Sequence, residues 1–246
     1  MTALLQTNDL TLAFGGLVVA NGINFSLEEG ERLAVIGQNG AGKTTFINIC
    51  TGLIKPNKGR VSLSGQDITG QSPRKIVKQG MARSFQLPQL FLEHTVRECL
   101  QLSAVARSGS LSSWSLLSGG SRAIEIDRML DLISLRDRQD ELCINLPEGQ
   151  RKLLDVGMSL MLEPKLLILD EPTSGVSTEE KHGVMEILMH ALDEQKVTAI
   201  FVEHDVDIVK RYATRVAAWI SGAIAADGTP ASVLNNPLIQ REVLGE

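Results

Sequence analysis

The sequence predicts an α/β fold: a core sheet around one phosphate-binding loop, an antiparallel β-rich beginning and an inserted helical segment. Three observations carry this. The stretch Gly37-Gln38-Asn39-Gly40-Ala41-Gly42-Lys43-Thr44-Thr45 has the form G-x-x-x-x-G-K-[ST], between an apolar run at Arg32–Ile36 and a helix-forming stretch at Thr45–Cys50. Two more short apolar runs, Leu166–Leu169 and Thr198–Val202, end in acidic residues, as buried strands of open α/β sheets do at their ligand-binding edge. Residues 89–159 instead repeat apolar residues at helical spacing (Val96, Leu100; Ile126, Met129, Leu130, Ile133) with no strand pattern.

Strand, glycine loop and helix together are the context in which this motif binds phosphate. Glycines let backbone N–H groups curl around phosphate oxygens, and the helix N-terminus adds donors and partial positive charge. Lys43 is then placed to reach the β- and γ-phosphates, and the Thr44 hydroxyl to ligate Mg²⁺. A nucleoside triphosphate is the implied ligand.

Along the chain, residues 4–30 alternate apolar and polar (Leu10, Leu12, Phe14; Ile23, Phe25, Leu27), which predicts antiparallel strands turning at Phe14-Gly15-Gly16. Turn signals around Arg60–Leu63 predict a hairpin-like excursion between 51 and 70. Ser72-Pro73 opens a helix through Gln79, and Met81–Phe85 reads as a buried strand ending at Gln86. Arg107 to Arg122, rich in Ser and Gly, reads as a flexible loop between helices. A helix is expected from about Thr178 to Glu194. After the Thr198–Val202 strand come another helix, a hairpin (Val216–Ile220, Ala223–Ala226) and a final polar segment from Thr229.

Composition narrows the class. The 246 residues are 43% hydrophobic but only 4% aromatic, predicting an aliphatic core, and the net charge of −5 without a long basic run argues against a general nucleic-acid binder. Cys50, Cys99 and Cys143 show no C-x-x-C spacing and read as buried thiols of a reducing compartment, not metal ligands or disulfides. Neither a signal-peptide pattern nor a run of about 18 apolar residues is present, so a cytoplasmic protein is expected.

The acids complete a reaction site. A phosphate loop needs an Asp at a strand end to hold Mg²⁺, and Asp170 fits, 127 residues after Lys43. Glu171 follows where a carboxylate polarises an attacking water, and His204, ending another core strand, is placed to hydrogen-bond the γ-phosphate. Phe14, 29 residues before Lys43, is either a core phenylalanine or a plate for a purine ring.

In this order the residues resemble the ATP-binding subunit of ABC transporters over essentially the whole chain. The motifs are an A-loop aromatic (Phe14), Walker A (37–45), a Q-loop glutamine (Gln86), a signature at Leu146-Pro147-Glu148-Gly149-Gln150, Walker B (166–171), a D-loop (Ser174-Gly175-Val176-Ser177) and an H-loop (His204). The resemblance implies a RecA-like P-loop NTPase core with an N-terminal antiparallel β subdomain (1–88 and 160–246) and an inserted helical subdomain (89–159). It also implies that Phe14 stacks adenine, that Thr44, Asp170 and Gln86 arrange Mg²⁺, and that Pro147, Gly149, Gln150 and Ser177 face ATP held by a second ATPase subunit.

Leu117-Ser118-Gly119-Gly120-Ser121 mimics the family's LSGGQ, but the family's signature opens a helix about 20 residues before the Walker B Asp. Gly149 lies 21 residues before Asp170, whereas Gly120 lies 50 before it. In the 146–150 signature Pro147 stands where the family has serine, Glu148 where it has a small glycine, and Ser177 where the D-loop often has Asp. A slower composite site follows from this.

Phe14-Gly15-Gly16-Leu17, Ala82-Arg83-Ser84-Phe85-Gln86, the Ser/Gly-rich insert and the ending Gly228-Thr229-Pro230…Leu244-Gly245-Glu246 are similar to the uptake group for branched-chain amino acids, amides and urea. That group implies a different ATPase subunit as partner, transmembrane permease subunits docking near Leu87–Leu92, a solute-binding protein, and a peripheral place on the inner face of the membrane. The alternatives are a homodimeric ATPase of lipopolysaccharide-export type and an ABC ATPase that does not transport.

Overall fold

The computed structural model describes residues 3–108 and 120–245, with backbone alone at 120 and 121. Two sheets organise it. The first has the order β2-β1-β4-β5, from β1 (Leu5–Phe14), β2 (Leu17–Leu27), β4 (Lys58–Leu63) and β5 (Gln66–Asp67). All its pairings are antiparallel, with Phe14 opposite Leu17 at the tip of the first hairpin. The second has the order β10-β9-β3-β8-β7-β6, from β3 (Arg32–Gly37), β6 (Met81–Ser84), β7 (Leu166–Asp170), β8 (Thr198–Val202), β9 (Arg215–Ile220) and β10 (Ala223–Gly228). Its pairs are parallel except β9–β10.

Side-chain alternation on the central strands divides the interior in two. Leu33 and Val35 of β3, Leu166 and Ile168 of β7, Ile200 and Val202 of β8, and Trp219 of β9 face the antiparallel sheet and helix α1 (Lys43–Cys50). Ala34, Ile36, Leu167, Leu169, Ala199 and Phe201 face the other way, toward the helices. These strands are buried on both faces, which is why they read as continuous apolar runs rather than alternating ones.

Helices α2 (Pro73–Lys78), α3 (Val96–Ser108), α4 (Gly120–Leu132), α5 (Glu148–Leu160), α6 (Lys181–Gln195) and α7 (Val206–Tyr212) fill the connections. Most of the Ser/Gly-rich expectation and the 117–121 look-alike lie outside the described residues, apart from the start of α4.

Three expectations need correction. The strand expected to run through Phe85 ends at Ser84, and Phe85 is exposed. Helix α6 begins at Lys181, three residues later than Thr178, after a turn in which the Ser177 hydroxyl accepts from the Glu180 N–H and donates to its carboxylate. The final segment is not merely polar. Thr229 and Asn236 cap α8 (Pro230–Leu234) and α9 (Pro237–Ile239), each with proline at its start, and a π-helical turn at Gln240–Leu244 follows. The core is mostly aliphatic, as composition predicts; within it Phe46 packs on Phe25 and Trp219, with ring centroids 5.5 and 5.1 Å apart, directly behind the phosphate loop.

All three cysteines are buried free thiols, but the fold brings two together, with Cys99 and Cys143 Sγ 3.4 Å apart. No described helix is long and apolar enough to cross a membrane.

Candidate functional site

The loop from Gly37 to Thr45 connects β3 to α1 at the C-terminal edge of the parallel sheet. Its glycines are required sterically at two points. A Cβ on Gly42 (φ +101°) would sit 2.6 Å from the Val19 carbonyl oxygen, and one on Gly37 (φ +153°) 2.6 Å from that of Trp219. Strands β2 and β9 thus press the loop into its curve from two sides. Residues Asn39 through Thr45, with Leu17, Val19 and Glu171, line a cavity of about 450 Å³. Gln38 borders a second hollow of about 210 Å³ that Asn39, Gly40 and Ala41 also touch from behind.

Lys43 is buried, and its Nζ donates to the carbonyls of Gly37 at 2.6 Å and Gln38 at 3.0 Å. Burial pushes its pKa down, opposed by the neighbouring carboxylates of Glu171 and Asp170. The cation is therefore poised under the loop, close to both acids. The Thr44 hydroxyl is exposed and makes no hydrogen bond among the described residues.

Three predicted residues from three loops meet at Glu171. Gln86 Nε2 donates to Glu171 Oε2 at 2.6 Å, and His204 Nε2 lies 3.1 Å from Glu171 Oε1. Glu171 holds a left-handed backbone (φ +50°), unusual for a residue with a Cβ, and its N–H donates to Val202 O at 3.1 Å. Walker B strand and neighbouring strand together fix this conformation, which turns the carboxylate toward the cavity. Asp170, one residue earlier, is buried, and its Oδ2 accepts from Arg83 Nη2 at 2.5 Å.

Other predicted residues are not gathered there. Phe14 is 53% exposed at the hairpin tip and does not line the cavity; Leu17 and Val19 of the same hairpin do. Pro147 is the N-cap residue of α5 and offers no side-chain cap, while Glu148 opens the helix with an acid. A Cβ on Gly149 would meet Val184 of α6 at 3.2 Å, and Gln150 Oε1 is buried without a partner among the described residues. Ser177 is exposed, and its hydroxyl donates to Glu180 at 2.9 Å.

Sequence reasoning missed four charged residues that hold the site together. Lys152 of α5 is buried and donates to the carbonyls of Gln86 at 3.1 Å and Glu171 at 2.9 Å. One turn on, Asp155 accepts from the N–H groups of Phe85 and Gln89, both at 3.3 Å. The signature helix thus clamps the Gln86 segment from both ends. Buried Glu203 accepts from Thr173 N–H and Oγ1 at 3.1 and 2.7 Å and from His204 N–H at 3.2 Å, tying Walker B to the His204 loop. Arg83 is the fourth. For Arg83 the available signal was a charge inside an otherwise apolar run, which marks a buried polar group needing partners.

Burial raises the Asp155 carboxyl to about 6, although both N–H groups and Lys152 pull it down. A raised carboxyl binds its proton more tightly when folded, so this group's contribution falls as pH climbs from the unfolded value to about 6. The shift is roughly two units, or ~3 kcal/mol. Urea unfolding of wild type and Asp155→Asn at about pH 4 and about pH 7 should show the variant gaining up to ~3 kcal/mol relative to wild type at the higher pH.

The comparisons with known proteins agree with this geometry. The family model described as ABC transporter matches residues 20–174. A probable branched-chain amino acid transport ATP-binding protein, LivG, of Archaeoglobus fulgidus is 35% identical, covering 98% of this chain and 95% of its own. The high-affinity branched-chain amino acid transport ATP-binding protein LivG of Escherichia coli K12 is 34% identical over 99% and 98%. Among solved structures, the ADP conformation of an ATP-binding cassette of an ABC transporter superposes with a TM-score of 0.86 at 29% identity, covering 100% of both chains. A strand–loop–helix that only glycine can shape, a lysine beneath it and a Gln–Glu–His cluster at its mouth place this chain in the ABC transporter family, as an ATP-binding and hydrolysing subunit resembling the branched-chain amino acid uptake ATPases.

Proposed function

We propose that this chain energises an importer for branched-chain amino acids or related amides, urea and small organic solutes, as one of two unlike ATPase subunits on the inner face of the membrane. The observation that carries the reading is the cluster Gln86–Glu171–His204 at the mouth of the phosphate-loop cavity. The names of relatives that are 30–35% identical over nearly the whole chain support the solute class.

In this reading Phe14 and Leu17, paired across the hairpin, receive adenine, and the 37–45 loop with Lys43 receives the phosphates. Glu171 orients the attacking water and takes up its proton, while His204 and Gln86 fix the carboxylate and contact the γ-phosphate side. Mg²⁺ fits the donors present: the Thr44 hydroxyl is unengaged, and Asp170 spends only Oδ2 on Arg83 among the described residues. When bound it neutralises phosphate charge, and Thr44, Asp170 and Gln86 are the residues that would hold it.

The pairing with an unlike subunit rests on α5. Pro147 gives its N-terminus no hydroxyl, and Glu148 places a carboxylate beside the backbone donors that would meet a partner's γ-phosphate. A second subunit with an uncharged signature would complete the other composite site. Gly149, Gln150 and Ser177 are the remaining contacts across that interface.

Docking to the permease is assigned to the groove of about 210 Å³ lined by Leu53, Pro73, Ile76, Met81 and Phe85, next to exposed Leu87, Phe91 and Leu92. Of the three apolar residues at 90–92, Leu90 packs partly against the core. Because Gln86 lies between groove and cavity, a displacement of this segment reaches Glu171 directly.

Proteoliposomes containing the permease, both ATPase subunits and the solute-binding protein provide the test. ATP hydrolysis inside the liposomes should rise with leucine-loaded binding protein outside. A rate unchanged by branched-chain amino acids, amides or urea would contradict the solute class.

A further inference from the structure

One buried ion pair joins Asp170 of Walker B to Arg83, a residue with no role in the reaction described above. Arg83 on β6 lies beside β7, where it is the register partner of Ile168. Its Nη2 donates to Asp170 Oδ2 at 2.5 Å and its Nη1 to Asn48 Oδ1 of helix α1 at 2.6 Å. The guanidinium lies 5.0 Å from the centre of the Phe85 ring. The two side chains of the pair are only 8% and 10% exposed. A pair this buried loses much of its Coulomb gain to desolvation, so stability alone is a poor reason for it. Taking away one partner would leave a bare buried charge.

The setting supplies another reason. Lys43 sits beneath the loop near Asp170 and Glu171, and Lys152 donates to the Glu171 carbonyl at 2.9 Å, so Arg83 is one of three cations set against the carboxylates at this end of the sheet. A divalent cation arriving alone would add its charge beside the Arg83 guanidinium and the Lys43 ammonium. Arriving with triphosphate, it enters a site whose charge the phosphates have made strongly negative.

We propose that Arg83 is the resident counter-ion of Asp170. It holds the carboxylate in place at the end of β7 while no metal is present, anchored through Asn48 to the helix that begins at Lys43. It also weakens the site for a free divalent cation, so that metal enters with nucleotide. Arg83 is a positioning residue, since it acts through Asp170. The proposal rests on Mg²⁺ binding at Asp170.

The test uses Mn²⁺ alone, followed by electron paramagnetic resonance, and thermal melts in EDTA, on wild type, Arg83→Lys, Arg83→Gln and Arg83→Gln/Asp170→Asn. Without nucleotide, Arg83→Gln should bind Mn²⁺ about tenfold more tightly than wild type or Arg83→Lys. In EDTA it should melt about 5 °C or more lower, and the double variant should recover most of that loss. Mn²⁺ affinity in Arg83→Gln that is equal to or weaker than wild type would overturn the proposal. If Arg83→Gln does not fold, the double variant decides: recovered folding supports the counter-ion role, and continued failure overturns it. Wild-type ATP affinity that is indifferent to Mg²⁺ would instead remove the metal reading, and the proposal with it.

Discussion

Replacing Glu171 with glutamine is expected to cut ATP hydrolysis by about 10²- to 10³-fold in the assembled transporter while ATP affinity changes less than about threefold. The amide keeps the size of the side chain, and its oxygen still accepts from Gln86, which donates to Glu171 Oε2 at 2.6 Å in the native protein. What it loses is the capacity to take a proton from water. The left-handed backbone at Glu171 and the Val202 carbonyl that receives its N–H are unaffected by the change. Phosphate release from saturating ATP measures the effect. A variant retaining more than about a tenth of the native rate would show that another group activates the water.

Lys43→Ala acts on binding rather than on chemistry. The lysine makes charge-assisted contacts with phosphate in the proposed complex and caps two loop carbonyls without it. Losing the former is worth about 2–3 kcal/mol, or roughly 30- to 150-fold in ATP affinity. Losing the latter leaves the buried Gly37 carbonyl without this donor and should lower stability by ~1–3 kcal/mol even without nucleotide. Calorimetric titration with ATP and urea unfolding separate the two effects. An ATP affinity within about threefold of native would contradict the assigned role of Lys43.

Much of this site was legible because its parts are periodic or punctuated. The phosphate loop announces itself by two glycines with no room for a Cβ and a lysine at a fixed offset. Asp170, Glu171 and His204 follow uninterrupted apolar runs, the pattern of strands buried on both faces. Illegible were contacts between residues distant in sequence. Lys152 and Asp155 read as one polar stripe of an amphipathic helix, yet both are buried against the Gln86 segment. Arg83 interrupts an apolar stretch, which signals a buried partner without naming it, and Glu203 reads as one more acid at a strand end. Likewise, Cys99 and Cys143 are 44 residues apart but in contact. Propensity also failed locally at Thr229 onward, where polar residues turned out to be caps of short helices rather than loop.

The central claim is that this chain is one half of an unequal ATP sandwich. The most direct test is the solution mass of Glu171→Gln with Mg²⁺ and ATP, since slow hydrolysis should trap a closed pair. The account predicts a mass near 26.7 kDa for the chain alone and about double that when a second ATPase subunit with an uncharged signature is added. A mass near twice 26.7 kDa for the chain alone would show that the Pro147/Glu148 signature closes on its own kind, and would contradict it.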